Sequence, residues 1–184
     1  MEWDNDNSSP YSSVNSYFTE KKPDNASLQC VMPKPKTKKC TREIKSITIK
    51  RIHMKNILNK EQKEYGHWWF VLGDPTAPDS ESYGWWPKNG AGIMDTFGGT
   101  EGELNGQTNF NGTSTRDTHH GDSADETFHP VVDCSDQRTD EEIKNCLRSF
   151  AQSYSGEWRW TFGAGQNCHT FQKAAMKHCN IRRK

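Results

Sequence analysis

An α+β fold, with an antiparallel sheet packed on helices and a cysteine at a helix N-terminus, is predicted by three observations. Aromatic segments of strand length recur at 66–72, 81–87 and 157–162. Helical periodicity is confined to two segments, one after Thr139 and one after Asn167. Between them, Gly163-Ala164-Gly165-Gln166-Asn167-Cys168 sets a cysteine directly behind a glycine turn and an Asn cap.

The 184 residues suit one domain with room for a sizeable core. Apolar content is low, at 31%, but six of the seven tryptophans fall at Trp68, Trp69, Trp85, Trp86, Trp158 and Trp160. That clustering places a compact aromatic core C-terminal to about residue 43. Residues 1–42 are rich in Asn, Ser, Asp, Lys and Pro, and read as a flexible leader or linker, or as the end of a longer delivery protein. Residues 43–184 are the folded domain.

Formal charge is zero, which gives no sign of a nucleic-acid partner. The basic run 34–42, broken by prolines, reads as a solvated linker rather than a binding patch. No apolar run approaches the length of a membrane span and no signal-peptide core follows Met1. Stable membrane insertion is therefore not expected, and export would use a route without a cleaved N-terminal signal.

Ile44, Ile47, Ile49, Ile52 and Met54 mark a strand, or a strand with a phase shift near Arg51. The next strand carries His67, Trp69 and Val71 on one face and Trp68, Phe70 and Leu72 on the other. It forms a hairpin with 81–87, which Pro87 stops. Gly, Asn, Thr and Asp dominate 88–138, predicting a long surface-loop insert, a lid over a site, with Val131 and Val132 touching the core. Thr139 and Glu142 form a capping box for a helix that buries Ile143, Cys146, Leu147, Phe150 and Ala151. A strand over 157–162 then aligns Trp158, Trp160 and Phe162, and a last helix follows Asn167, with Phe171, Ala174, Ala175 and His178 at helical spacing.

The six cysteines, Cys30, Cys40, Cys134, Cys146, Cys168 and Cys179, lack the paired spacing of a zinc site. With Cys168 set aside, five remain for at most two disulfides, whose connectivity the spacing leaves open. His119-His120-Gly121-Asp122, with Asp117 and His129 nearby, invites a metal reading, but adjacent histidines in a polar loop are more often solvated. No metal and no cofactor are expected. Gly98-Gly99-Thr100 follows no strand and precedes no helix, so it is not a phosphate loop.

A buried cysteine is ordinarily a small apolar core residue. Cys168 differs in its setting: Asn167 as N-cap makes it the first helical residue, where the helix dipole favours a thiolate. His67 is the candidate base that takes the thiol proton and later returns it to a leaving group. His169 adjoins the cysteine, but neighbouring helical side chains diverge by about 100°, so it is a poorer base that lines the mouth. Glu81 is favoured as the group that orients His67, since a carboxylate would also stabilise its cation, although an exposed strand glutamate needs no such role. The Cys168 backbone N–H, with Gln166 or Tyr83 as a further donor, would make an oxyanion hole.

A histidine on an early strand, a polar residue on the next and a cysteine at a late helix N-terminus form a circular permutation of the papain order. The carriers are Gly66-His67-Trp68-Trp69, Glu81-Ser82-Tyr83-Gly84-Trp85-Trp86-Pro87 and Asn167-Cys168-His169-Thr170-Phe171. On these residues the chain resembles the permuted branch of the NlpC/P60 papain-like superfamily, which includes lecithin:retinol acyltransferase-like proteins. The resemblance spans about residues 44–180 and leaves 88–138 unmatched. It implies a papain-like catalytic domain over 43–184, with Cys168 as nucleophile, His67 as base and a third residue that varies within the family.

Members of that superfamily include peptidoglycan peptidases and amidases, acyltransferases, lipid hydrolases and bacterial toxin domains. The expectation is a cysteine hydrolase cleaving an amide in a peptidoglycan peptide. With its polar leader, the chain looks like a bacterial effector or toxin domain, cytoplasmic before delivery by a specialised secretion system, with a cognate immunity protein as partner. Two alternatives stand beside it. One is a lipid-directed acyl hydrolase or acyltransferase using the same nucleophile; the other is a non-catalytic Trp-rich binding module in which Cys168 is inert.

Overall fold

The computed structural model describes residues 39–55, 61, 62, 66–90, 92–160 and 165–184, all within the unit Lys38–Lys184. In chain order the strands of the first half are β1 (Thr41–Glu43), β2 (Ile47–Arg51), β3 (Met54–Lys55), β4 (Glu61–Gln62), β5 (Trp68–Leu72), β6 (Glu81–Tyr83) and β7 (Trp85–Pro87). There follow α1 (Ile93–Gly98), β8 (Thr100–Leu104), β9 (Glu126–Phe128), β10 (Val131–Asp133), α2 (Asp140–Ser153), β11 (Glu157–Trp158) and α3 (Cys168–His178). The fold is α+β with antiparallel pairing throughout these strands.

The principal sheet has the order β6-β5-β2-β9. β2 and β5 occupy its middle, in register from Ile47↔Leu72 to Arg51↔Trp68. All five residues of β5 are buried, as a central strand covered on both faces requires. The alternation holds: Phe70 stacks on Phe171 of α3 at 5.8 Å between ring centroids, whereas Trp69 stacks on His67 at 5.6 Å. The strand itself begins at Trp68, so His67 lies one residue outside it. Below the sheet, Ile44, Ile47, Ile49, Phe70, Leu72 and Tyr83 pack against Ile143, Leu147 and Ala151 of α2 and Phe171, Ala175 and Met176 of α3.

The expected hairpin forms, with Phe70↔Tyr83 to Leu72↔Glu81 in register, but its second strand breaks at Gly84. β7 leaves the principal sheet and joins a second one, ordered β11-β8-β7. The segment 88–138 is also more than the surface loops expected of it. It contains α1, β8, β9 and β10, and β9 is the fourth strand of the principal sheet. β8 and β9, of five and three residues, are rich in Thr and Glu. They are held by backbone pairing to β2, β7 and β11 rather than by an apolar stripe of their own, so periodicity does not mark them, whereas β10 pairs with β1 and buries Val131 and Val132 in the core as expected.

At the other end, the capping box of α2 is present, Thr139 Oγ1 accepting from Glu142 N and Glu142 Oε2 from Thr139 N. The strand expected over 157–162 is only Glu157–Trp158; Arg159 and Trp160 are outside it, and 161–164 lie outside the described residues. On the final helix Phe171 and Ala175 are buried, whereas His178 is exposed. The expected leader lies outside the described residues over 1–38, but 39–42 belong to the domain. β1 pairs with β10, and Cys40 is disulfide-bonded to Cys134. A second disulfide, Cys146–Cys179, ties α2 to the residue after α3. Cys168 is the one free cysteine among the described residues.

Candidate active site

Asn167 sets the position of Cys168. Its Oδ1 accepts from the backbone N–H groups of His169 and Thr170, and Thr170 Oγ1 accepts from Asn167 N at 2.8 Å. This reciprocal cap makes Cys168 the first residue of α3. Among the described residues the Cys168 backbone N–H has no hydrogen-bond partner, which suits it to receive an oxyanion.

The thiol meets the end of β5. Gly66, at φ +115°, brings its carbonyl to 3.6 Å from Cys168 Sγ and 3.1 Å from His169 Nε2. A side chain there would strike the Ile52 carbonyl, so the approach requires glycine. His67 and His169 both lie close enough to the thiol to favour its ionised form. His67 Nε2 is engaged elsewhere, 3.1 Å from both carboxylate oxygens of Asp117, so Nδ1 is the ring nitrogen left for the sulfur.

Asp117, not Glu81, is therefore the carboxylate that holds His67. It is buried, with Trp86 Nε1 donating to Oδ2 at 2.7 Å and the His119 N–H to Oδ1 at 2.9 Å. Its own N–H donates to Ser82 Oγ at 2.8 Å. Glu81 points to the far side of the sheet, where Arg148 Nε donates to it at 2.7 Å and Tyr83 Oη–H at 3.0 Å. β6 alternation explains the difference: Ser82 faces the His67 side, and Glu81 and Tyr83 face away. Tyr83 is thus a core residue, and Gln166 is spent on Ser155 O at 2.9 Å. Neither is among the residues that line the cavity beside Cys168.

His169 does not line the mouth. It is buried, stacked on Trp68 at 4.0 Å, and Arg51 covers the other side of that indole at 3.9 Å. The clamp holds His169 Nε2 on the Gly66 carbonyl, the same oxygen that the thiol meets.

Electrostatics follow from these contacts. Burial disfavours the His67 cation, but the Asp117 carboxylate, by charge and hydrogen bond, outweighs it and raises the pKa to about 10. Burial would likewise raise the Cys168 pKa; hydrogen bonds and Coulomb attraction from His169 and His67 bring it down to about 6. Asp117 is held below the ordinary carboxylate range, burial being outweighed by His67. Thiolate and imidazolium coexist between these limits. The thiolate's contribution to stability, complete above the ordinary thiol value of 9.0, is lost as pH falls through about 6. The imidazolium's contribution, complete below 6.5, is lost as pH rises through about 10. Iodoacetamide labelling of Cys168, followed by peptide mass spectrometry, is expected to show a midpoint near 6 that rises in His67→Ala.

The pair opens onto a cavity of about 580 Å³ lined by Trp85, Trp86, Pro87, Phe110, Trp158 and Trp160, with His67, His119 and Cys168 as its chemical groups. No family model, curated protein or solved structure matches this chain.

The residues of the suggested metal cluster have separate occupations. Asp117 serves His67; His119 Nδ1 meets Asp122 Oδ2 at 2.6 Å; His120 contacts Ser80 and Ser82; His129 Nδ1 donates to Ile47 O at 2.9 Å. Sequence reasoning missed Asp117, Trp86 and His119 as site residues. Their one visible signal was the concentration of Asp117, His119, His120 and Asp122 in an otherwise Gly-, Asn- and Thr-rich stretch.

Proposed function

We propose that this chain is a cysteine hydrolase of the permuted papain-like kind, cleaving an amide in a peptidoglycan peptide. The observation that carries the reading is the line Cys168–His67–Asp117, in which a helix-terminal thiol meets an imidazole held by a buried carboxylate at the end of a cavity. The thiolate attacks the carbonyl carbon, and the Cys168 N–H receives the oxyanion. His67 then gives its Nδ1 proton to the departing amine, leaving a thioester on Cys168. Water attacks the thioester as neutral His67 takes its proton, releasing the acid and restoring the thiolate–imidazolium pair. Asp117 stays ionised and keeps the ring oriented throughout.

Delivery as a bacterial effector or toxin, with a cognate immunity protein, belongs to the same proposal. Its support is the disulfide pairs Cys40–Cys134 and Cys146–Cys179, which suit an oxidising destination.

A second reading, an acyl hydrolase or acyltransferase acting on lipid, is favoured by a different observation. The cavity wall is aromatic, and Met94, two residues from the cavity-lining Thr96, is 83% exposed on α1. Incubation with purified sacculi and with phospholipid vesicles separates the two. Peptide fragments with new amine and carboxyl ends support amide cleavage, and a fatty-acyl mass on Cys168 with free fatty acid supports the lipid reading. Neither product, together with a Cys168 that labels no faster than a free thiol, leaves the binding module.

A further inference from the structure

His120 stands outside the cavity, yet both its ring nitrogens end on serines beside the His67–Asp117 pair. Ser80 Oγ donates its only proton to Ala77 O at 2.7 Å, so the 3.1 Å contact with His120 Nε2 is a donation from Nε2–H. A neutral ring protonated at Nε2 has a bare Nδ1. That nitrogen lies 2.9 Å from Ser82 Oγ and accepts the Ser82 proton. With its proton committed there, Ser82 Oγ presents a lone pair to the Asp117 N–H, 2.8 Å away, and is the nearer of that N–H's two acceptors, the Ser82 carbonyl lying at 3.2 Å. The His120 backbone N–H closes the turn by donating to Asp117 O at 2.9 Å. Ser80, Ser82 and Asp117 are all buried, so solvent offers these groups no ready substitute partners.

We propose that His120 is a positioning residue: in its neutral Nε2–H form it orients the Ser82 hydroxyl, which fixes the Asp117 backbone and thereby its carboxylate against His67. This role rests on the catalytic reading above, and it is a role the metal-like appearance of the His119-His120 pair conceals.

A second proton on His120 would place a hydrogen on Nδ1, facing Ser82 Oγ. That oxygen would then meet two N–H donors while its own proton lost its acceptor. The surroundings resist that proton. Burial of the ring comes first, followed by repulsion from Arg116, whose Nε donates to Ser80 O at 3.1 Å, and from Lys50, whose Nζ donates to Asp122 O at 2.8 Å. The Pro75 carbonyl and the Asp117 carboxylate pull the other way, and the net effect is a pKa below the ordinary histidine value. His120 is thus neutral at pH 7, and the brace weakens only as pH falls into the acid range.

The test compares the Cys168 labelling titration in wild type, His120→Leu and His120→Asn, and reads the His120 tautomer in the wild type from ring 15N shifts at pH 7. In Asn, Oδ1 stands where Nδ1 stood and can accept the Ser82 proton. His120→Leu is expected to raise the thiol midpoint by on the order of one pH unit, because a displaced Asp117 supports the His67 cation less. His120→Asn is expected to stay with the wild type, and the wild-type ring to be the neutral Nε2–H form. A folded His120→Leu that titrates like wild type overturns the proposal, as does a His120→Asn shifted as far as His120→Leu. An Nδ1–H tautomer overturns it too, and that measurement needs no variant to fold. A wild-type midpoint near the ordinary 9.0 overturns the catalytic reading instead, and the positioning role with it.

Discussion

Asp117→Asn is expected to lower turnover by roughly 10³–10⁴-fold while leaving the protein folded. Both carboxylate oxygens already accept from donors, Oδ2 from Trp86 Nε1 and Oδ1 from the His119 N–H, and both lie 3.1 Å from His67 Nε2. An amide must turn its NH₂ toward one of these donors, so the geometry suffers as well as the charge. With the anion gone, burial is the dominant influence on His67, and the pKa that stood at about 10 falls. Cys168 in turn loses its imidazolium partner, and its pKa climbs from about 6 toward 9.0. The pH–rate profile should therefore narrow from both sides: the acid limb moves up with the thiol and the base limb moves down with the imidazole. Rates across pH 5–10, read against Cys168→Ala as the inactive reference, check this. An Asp117→Asn enzyme with wild-type turnover and limbs would remove Asp117 from the mechanism.

Gly84→Ala should be nearly as damaging, although the substitution adds one methyl group and touches no reacting atom. A Cβ at residue 84 would run into Asp117 Oδ2 and stand 2.7 Å from His67 Nε2. No rotamer relieves this, because a Cβ has none. The backbone has little room to yield, since Gly84 N donates to Asn105 Oδ1 at 3.1 Å and Gly84 O accepts from Asn105 N at 2.8 Å. The expected result is the separation of Asp117 from His67 and a loss of activity of roughly 10³-fold, with overpacking costing about 1–3 kcal/mol. Turnover and a thermal melt measured on the same preparation separate the two effects. Full activity in Gly84→Ala would mean that the His67–Asp117 contact is dispensable.

Gly84 also shows why the sequence yielded only part of the site. In the run Tyr83-Gly84-Trp85-Trp86-Pro87 it looks like a pause in an aromatic strand. Its actual role, leaving space for a dyad made by residues 17 positions before it and 33 after it, is set by a long-range approach that no local pattern encodes. Glu81 failed as the orienting group for a related reason. Alternation placed Glu81 and Tyr83 together correctly, but which face of β6 meets His67 depends on how β6 pairs with β5, and that register turned Ser82 toward the site.

Elsewhere the local signals were sufficient. The α2 capping box, the buried Ile143, Leu147 and Ala151, the β5–β6 hairpin and the Asn167 cap that sets Cys168 at the head of α3 all follow from spacing and short-range hydrogen bonding. The caps and stripes join residues a few positions apart and the hairpin joins strands consecutive in the chain, so the chain order itself specifies them. The pairing of the short strands β9 and β10 carries no such record, because their partners β2 and β1 lie far back along the chain.

By itself, then, the sequence determined the two long helices, the aromatic hairpin and a cysteine presented at a helix N-terminus. The tertiary structure alone decided that Asp117 holds His67, that His169 is clamped by Trp68 on the Gly66 carbonyl and that Cys40 and Cys146 find Cys134 and Cys179. The physical reason is range: helix periodicity and caps act over one or two turns, whereas a buried carboxylate–imidazole contact is fixed by the packing of segments 50 residues apart.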